Sequence, residues 1–238
     1  MKRLIIAEIG INHDGNPHTA SVLIEDAKEV GADIVKFQLY DVDTLFPDKQ
    51  ILTQGKNWYE EVKKTQLSKE EIVGISNYCK EVGIEFMASA FDLERLSWLE
   101  ECEVKRHKVA SRMNQNRPLI DAMVATGKQV IMSCSAKFTP SVVYPTIDFL
   151  YCVPKYPTEI QDLHLDDVTF DSHSNYSGFS DHTIGTEACV YAMARGARII
   201  EKHFTYNSGS EHGPDHICSI DFDGMKELVR YARKFEKI

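Results

Sequence analysis

The spacing of apolar residues changes period many times along the chain, and those changes predict its elements. Short apolar runs predict buried strands at Leu4–Ile9, Asp33–Gln38, Ile84–Ser89, Lys108–Ser111, Val130–Cys134, Phe149–Val153, Tyr176–Ser180 and Ile199–His203. Segments of helical period lie between most of them. His18–Val30 places Val22, Leu23, Asp26, Ala27 and Val30 on one side and ends at Gly31. Ser68–Val82 opens with Ser68-Lys69-Glu70-Glu71, a capping box, and closes at Gly83. Arg117–Ala125 carries Pro118 in its first turn, and Thr186–Ala194 stops before Gly196. Met225–Glu236 closes the chain with Leu228, Val229, Ala232 and Phe235 turned inward.

Strand followed by helix, repeated about eight times over this length, predicts a parallel α/β architecture. A (β/α)8 barrel spanning 1–238 as one domain fits best, and an open doubly wound sheet is the alternative. No GxGxxG follows the first strand, where the sequence is Gly10-Ile11-Asn12-His13-Asp14-Gly15-Asn16. No internal repeat or linker interrupts the pattern. Two segments break the alternation. Tyr40–Lys64 is a long polar connection, a candidate active-site loop. Ser135–Ile147 is short and rich in Pro and β-branched residues, so one crossover helix is expected to be missing or reduced there.

Composition narrows the function classes. The 27 basic and 36 acidic residues give a net charge of -9, and no Lys/Arg run supplies the basic face of a nucleic-acid binder. No apolar stretch is long enough to span a bilayer. The N-terminal apolar run meets Glu8 after four residues and reads as a strand, not an export signal, so a cytoplasmic location is expected. The six cysteines are irregularly spaced and form no CxxC pair, which predicts reduced thiols rather than zinc ligands or disulfides.

Candidate chemistry gathers where the strands end, the face that carries active sites in such barrels. Glu8 ends the first strand, Lys36 and Gln38 the second, and Ser89 the third. Lys108 and Ser111 bracket the fourth, Ser133 ends the fifth, and Tyr156 follows the sixth. Ser180-Asp181-His182-Thr183 ends the seventh and Glu201-Lys202-His203 the eighth. Charged groups rarely sit in apolar runs without partners, so the set suggests a ring converging on an anionic ligand. Each member also has a structural reading. Glu8 and Lys36 could form an ion pair, Lys108 could be exposed at a strand start, and the histidines could be bonded to backbone. Two histidines on adjacent strand ends, His182 and His203, match a two-imidazole metal site with open positions. His13 and His216 lie in Gly-containing loops that could reach the barrel mouth. Two lysines with several hydroxyls suit a phosphate and a carboxylate, and a metal can polarise an aldehyde oxygen.

Five motifs carry a family resemblance: Ile6-Ala7-Glu8-Ile9-Gly10-Ile11-Asn12-His13-Asp14-Gly15, Gly31-Ala32-Asp33-Ile34-Val35-Lys36-Phe37-Gln38, Gly178-Phe179-Ser180-Asp181-His182-Thr183-Ile184-Gly185, Glu201-Lys202-His203-Phe204-Thr205 and Gly213-Pro214-Asp215-His216. In their order and content the chain resembles the sialic acid (N-acetylneuraminate) synthase family. The resemblance implies a barrel transferase that condenses phosphoenolpyruvate with N-acetylmannosamine or a related amino-sugar aldehyde, giving a nonulosonic acid and phosphate. It also implies a divalent metal, manganese or magnesium, on His182 and His203. Lys36, Lys108, Ser89, Ser111, Ser133 and Ser180 are implied as phosphoenolpyruvate contacts. Gln38, Tyr156 and Asp215 are implied on the sugar side, with Glu8 and Glu201 beside the reacting carbons and Glu8 the first candidate general acid/base.

The sequence departs from the family pattern on that sugar side. Lys108-Val109-Ala110-Ser111 is followed by Arg112-Met113 where members place Gly and an acid. Ser133-Cys134-Ser135-Ala136 stands for Ser-Thr-Gly-Met, and Pro154 stands where many members have Asn. Members usually continue into an antifreeze-protein-like domain that reaches across a dimer. The barrel alone is expected here, with a homodimer implied by the resemblance and any antifreeze-like domain supplied as a separate chain. A pyruvate-type aldolase or lyase, and a non-catalytic barrel needing a partner domain, are the competing readings.

Overall fold

Alternating aliphatic residues leave each predicted strand with two apolar faces, and such strands are stable only when both faces are covered. The computed structural model describes residues 2–135, 146–170 and 176–237. In it eight parallel strands close into a barrel, each paired with the next and the last with the first. They are β1 (Leu4–Gly10), β2 (Ile34–Leu39), β3 (Glu85–Ala90), β4 (Arg106–Val109), β5 (Gln129–Cys134), β6 (Ile147–Tyr151), β7 (Tyr176–Asp181) and β8 (Ile199–His203). The open-sheet alternative is thereby excluded. Among the described residues no helix is long and apolar enough to cross a membrane. All six cysteines are free and buried.

Six longer helices pack outside: α1 (Pro17–Glu29), α2 (Lys69–Val82), α3 (Leu93–Glu101), α4 (Arg117–Ala125), α5 (Glu187–Ala194) and α6 (Phe222–Phe235). The predicted capping box of α2 is complete: Glu71 N–H donates to Ser68 Oγ and Ser68 N–H to the Glu71 carboxylate. Gly83 ends that helix at φ +78°, a conformation costly for any residue with a Cβ. The buried face of α1 differs from expectation. It runs through Ala20, Leu23, Ile24 and Ala27, while Val22 and Asp26 lie at its margin. A true i, i+3, i+4, i+7 stripe passes one residue to the side of the expected row.

The connections also correct the sequence reading. Tyr40–Lys64 is a packed flap rather than a plain polar loop. It holds two short helices, Val42–Leu45 and Tyr59–Lys64, and an antiparallel hairpin pairing Leu52–Thr53 with Lys56–Asn57. Its own apolar cluster comprises Ile11, Tyr40, Val42, Trp58, Tyr59 and Val62. The segment expected to lack a crossover helix, 135–147, lies outside the described residues except at its ends. Between β6 and β7 the described residues carry 3-10 turns at Ile160–Asp162 and Leu165–Asp167. Leu163, Leu165, Val168 and Phe170 cover the barrel there instead of a helix face.

Inside the barrel, period-two alternation builds three layers. At the N-terminal end a hydrogen-bonded chain runs from Glu85 through Arg106, Gln129 and Asp148 to Ser177. Above it Ile6, Ile34, Met87, Ile131, Leu150 and Ile199 form an apolar plug. Beyond the plug come Glu8, Lys36, Ser89, Lys108, Ser133, Cys152, Ser180 and Glu201, one from each strand or its end and all buried. The plug keeps water from reaching this third layer from below.

Gly178 admits closure of this ring. A Cβ there would lie 1.9 Å from the Ile199 carbonyl oxygen of β8, closer than any real contact. Gly178→Ala is expected to destabilise the fold by about 3 kcal/mol, read as a lower urea midpoint at unchanged slope. A midpoint equal to wild type would show that β7 and β8 do not approach this closely.

Candidate active site

Lys36 stands at the centre of the third layer. Its Nζ is 2.8 Å from Glu201 Oε2 and 3.4 Å from Glu8 Oε2. Lys108 Nζ donates to Ser133 Oγ at 2.8 Å and to the Val109 carbonyl at 3.0 Å, and lies 3.6 Å from Glu201 Oε1. The reading of Lys108 as an exposed strand start is therefore wrong. It is only 1% exposed, because β4 begins two residues earlier, at Arg106, and carries Lys108 inside the barrel. The Glu8–Lys36 ion pair does exist, but Glu201 is the closer partner of Lys36.

The two carboxyls differ in protonation. Burial pushes Glu8 up to about 8; Lys36 pulls it back, while the neighbouring Glu201 charge raises it further. Burial also disfavours the Glu201 anion, but Lys108 and Lys36, with hydrogen bonds from Lys36 and Ser180, hold that carboxyl far below the usual range. Burial brings Lys108 down to about 8, which attraction to Glu201 only partly offsets. Lys36 is raised, because Glu201 and Glu8 outweigh its desolvation. At pH 7 the floor therefore holds a protonated Glu8, an ionised Glu201 and two ammonium groups. One positive charge is left in excess, in a place where desolvation magnifies it.

Hydroxyls complete the floor. Ser180 Oγ donates to Glu201 Oε1 at 2.8 Å. Ser89 Oγ is buried with no hydrogen-bond partner among the described residues. Ser111 opens the turn after β4 and lies against the Cys152 thiol. Gln38 Nε2 donates to Glu8 Oε1 at 3.1 Å, at the rim.

The two histidines face one another above this floor. Their ring centroids are 5.6 Å apart, and the Tyr156 ring lies 4.1 Å from His182 and 5.8 Å from His203. His182 Nδ1 is 2.8 Å from the Val153 carbonyl, so that nitrogen is the donor and Nε2, 3.0 Å from the Tyr156 hydroxyl, carries the lone pair. His203 Nδ1 has no hydrogen-bond partner among the described residues and lies 3.8 Å from Asp215 Oδ2. Burial lowers His182 to about 4 and His203 well below its ordinary range, so both rings are neutral. Burial pushes Asp215 up to about 6. Neutral imidazoles, here one of them oriented by a backbone carbonyl, are the donor chemistry of a first-row divalent cation. Among the described residues no group of three or more His, Cys, Asp or Glu side chains forms a ready cage, and His182 and His203 are the imidazoles that face each other there.

His13 and His216 do not join the site. His13 packs 5.9 Å from the Phe37 ring, and His216 bridges Thr205 and Asp14 at 2.7 and 2.9 Å, tying the β8 loop to the β1 loop. The sequence reading missed Cys152, which lies among Lys108, Glu201 and Lys36, and the Val153 carbonyl that orients His182. Extending the alternation of β6 past its last paired residue would have located Cys152. It also treated Lys202 as one of the converging strand-end groups. Lys202 points out of the barrel, between Glu201 and His203, which point in.

A family model described as NeuB family matches residues 23–238. The chain belongs to the NeuB family. An N,N'-diacetyllegionaminic acid synthase of Legionella pneumophila subsp. pneumophila is 33% identical, over 100% of this chain and 73% of its own length. An N-acetylneuraminate-9-phosphate synthase of Drosophila melanogaster is 31% identical, over 98% of this chain and 68% of its own length. Among solved structures, the N-acetylneuraminic acid (sialic acid) synthetase of Leptospira borgpetersenii serovar Hardjo-bovis, in complex with citrate, superposes with a TM-score of 0.86. It is 28% identical and covers 100% of this chain and 85% of its own. The NeuB barrel is thus shared along nearly the whole chain.

The opposed protonation of the two carboxyls is open to test. Glu201→Gln removes the negative charge that helps to raise Glu8. The Glu8 titration, followed by carboxyl carbon NMR, should move from about 8 toward the ordinary carboxylate range. An unmoved titration would show that the pair is not coupled.

Proposed function

We propose that this protein condenses phosphoenolpyruvate with the open-chain aldehyde of an amino sugar, releasing phosphate and a nonulosonic acid. The observation that carries this reading is the buried floor, with Lys36 and Lys108 both gathered on Glu201 and hydroxyls around them, beneath two facing imidazoles. It fits a small polyanion whose reacting carbon must meet a polarised carbonyl. The names of NeuB relatives, a legionaminic acid synthase and an N-acetylneuraminate-9-phosphate synthase, supply the product class.

In this reading Lys36, Lys108, Ser89, Ser111, Ser133 and Ser180 receive the phosphate and carboxylate of phosphoenolpyruvate. The unpartnered Ser89 hydroxyl gains a partner when the anion enters. The methylene carbon of phosphoenolpyruvate attacks the aldehyde carbon, forming the new C–C bond. Glu8, which holds a proton at neutral pH, delivers it to the former aldehyde oxygen. Water adds to the cationic C2 and returns a proton to Glu8. The tetrahedral carbon then loses phosphate by C–O cleavage, leaving the 2-keto acid. Lys36 and Lys108 stabilise the oxyanions through both steps, and Glu201 keeps the two ammonium groups in place between turnovers. Gln38, Tyr156 and Asp215 line the mouth where the sugar enters. Arg112 stacks at 4.5 Å over Phe46 of the flap, at the end of β4. A divalent cation, manganese or magnesium, held by His182 and His203 would supply Lewis-acid polarisation of the aldehyde oxygen.

Phosphate release from phosphoenolpyruvate, measured with manganese or magnesium over a panel of N-acylamino sugars, tests the reading. Turnover should stop on chelation. Lys36→Met and Lys108→Met should each raise the KM for phosphoenolpyruvate roughly 10- to 100-fold. Glu8→Gln should cut kcat about 100-fold or more while phosphoenolpyruvate still binds. In the wild type kcat/KM should fall above about pH 8, where Glu8 loses its proton and Lys108 its charge. Binding of phosphoenolpyruvate without phosphate release from any sugar overturns the proposal, and release of pyruvate points instead to lyase chemistry.

A further inference from the structure

A buried ion pair stands directly behind the two histidines. Asp181 Oδ2 and Lys202 Nζ are 2.9 Å apart, and both side chains are 0% exposed. They face each other in register across β7 and β8, and theirs is the last residue pair of that ladder. His182 and His203 follow immediately. Because side chains alternate along a strand, Asp181 and Lys202 project into the layer beneath the helices while their neighbours project into the barrel. Neither therefore reaches the proposed substrate space.

The pair does more than neutralise itself. Lys202 Nζ also donates to the Thr183 carbonyl at 2.5 Å. Asp181 accepts from the Thr183 N–H at 2.9 Å, the Thr183 hydroxyl at 3.1 Å and the Cys189 thiol at 3.2 Å. Both chain neighbours of His182 are thus held by one side chain of β8. His182 cannot shift along the barrel axis without breaking these bonds, and its ring is fixed in turn by the Val153 carbonyl. On the other side His203 belongs to a rigid frame: the Phe204 N–H donates to the Glu8 carbonyl at 2.8 Å, and the Ile220 N–H to the His203 carbonyl at 2.9 Å. Fully buried ion pairs seldom add stability over apolar residues of the same volume, so the contribution of this one must be sought in geometry.

We propose that Asp181 and Lys202 are positioning residues that set the separation of the His182 and His203 imidazoles. The pair replaces the backbone ladder as a clamp at the point where the ladder stops. The functional consequence rests on the reading of the two histidines as cation ligands, but the geometric claim can be tested without a cation.

The test uses the full chain carrying Asp181→Asn with Lys202→Met. The amide still accepts from Thr183, no lone buried charge is left, and the bonds from Lys202 are lost. In metal-free wild type, imidazole proton NMR should show a cross-relaxation contact between the His182 and His203 rings. In the double variant that contact should vanish or weaken severalfold, and the manganese dissociation constant, read by electron paramagnetic resonance, should rise at least tenfold. Phosphoenolpyruvate binding without metal should stay within twofold, since its floor lies on other residues. Cys189→Ala, which loosens the same core but keeps the ion pair, should leave the ring contact and manganese affinity unchanged. Lys202→Arg, which keeps the charge, should retain most of the affinity. Should the double variant fail to fold, Asp181→Asn with Lys202→Leu, which also leaves no lone buried charge, is read by the same two signals. An unchanged ring contact with unchanged manganese affinity overturns the proposal, as does an equal loss in Cys189→Ala. A wild type that shows the ring contact but binds no manganese sinks the cation reading and leaves the positioning claim standing.

Discussion

The third layer of the barrel rests on one electrostatic constraint: two lysines placed over an apolar plug cannot remain charged without an anion nearby. Glu201 is that anion, and both ammonium groups depend on it. It lies at hydrogen-bond distance from Lys36 and a little beyond it from Lys108, so the second lysine is the less well compensated. The same arrangement decides Glu8. With Glu201 already ionised beside it, a second buried carboxylate would face both desolvation and repulsion, so Glu8 keeps its proton. Two chemically identical side chains thus take up different roles because one has two cationic neighbours and the other must share a single one.

Much of this was legible in the chain. Apolar runs located the eight strands to within a few residues, and the polar residues at their ends do gather in one buried layer of the barrel. Strands β4 and β6 were each placed two residues late, and for β4 the physical reason is plain. Its sequence, Arg106-His107-Lys108-Val109, has hardly any apolar character, because Arg106 belongs to the polar chain at one end of the barrel and Lys108 to the floor at the other. With both inward residues cationic, the pattern placed this strand two residues late, at Lys108–Ser111. The α1 stripe failed more mildly, since adjacent rows on a helix differ by one residue and Val22 competes with Ala20 on apolar character alone.

Other features were hidden because they depend on contacts between distant segments. Nothing local distinguishes Lys202 from Glu201 and His203 except the side of the strand each occupies, and only register with β7 shows that Lys202 meets Asp181. The His182 tautomer is set by the Val153 carbonyl, a group with no sequence signature at all. The flap read as polar because its apolar residues are scattered through it. They come together only when the hairpin folds back and Trp58 Nε1–H reaches the Thr53 carbonyl.

That flap has a small hydrophobic nucleus of its own, separate from the cluster that holds strands to helices. It joins the rim through Ile11 and Phe91, through Gln54 to the Pro214 carbonyl and through Phe46 beneath Arg112. The barrel floor, walled by its own plug, takes none of its side chains from the flap.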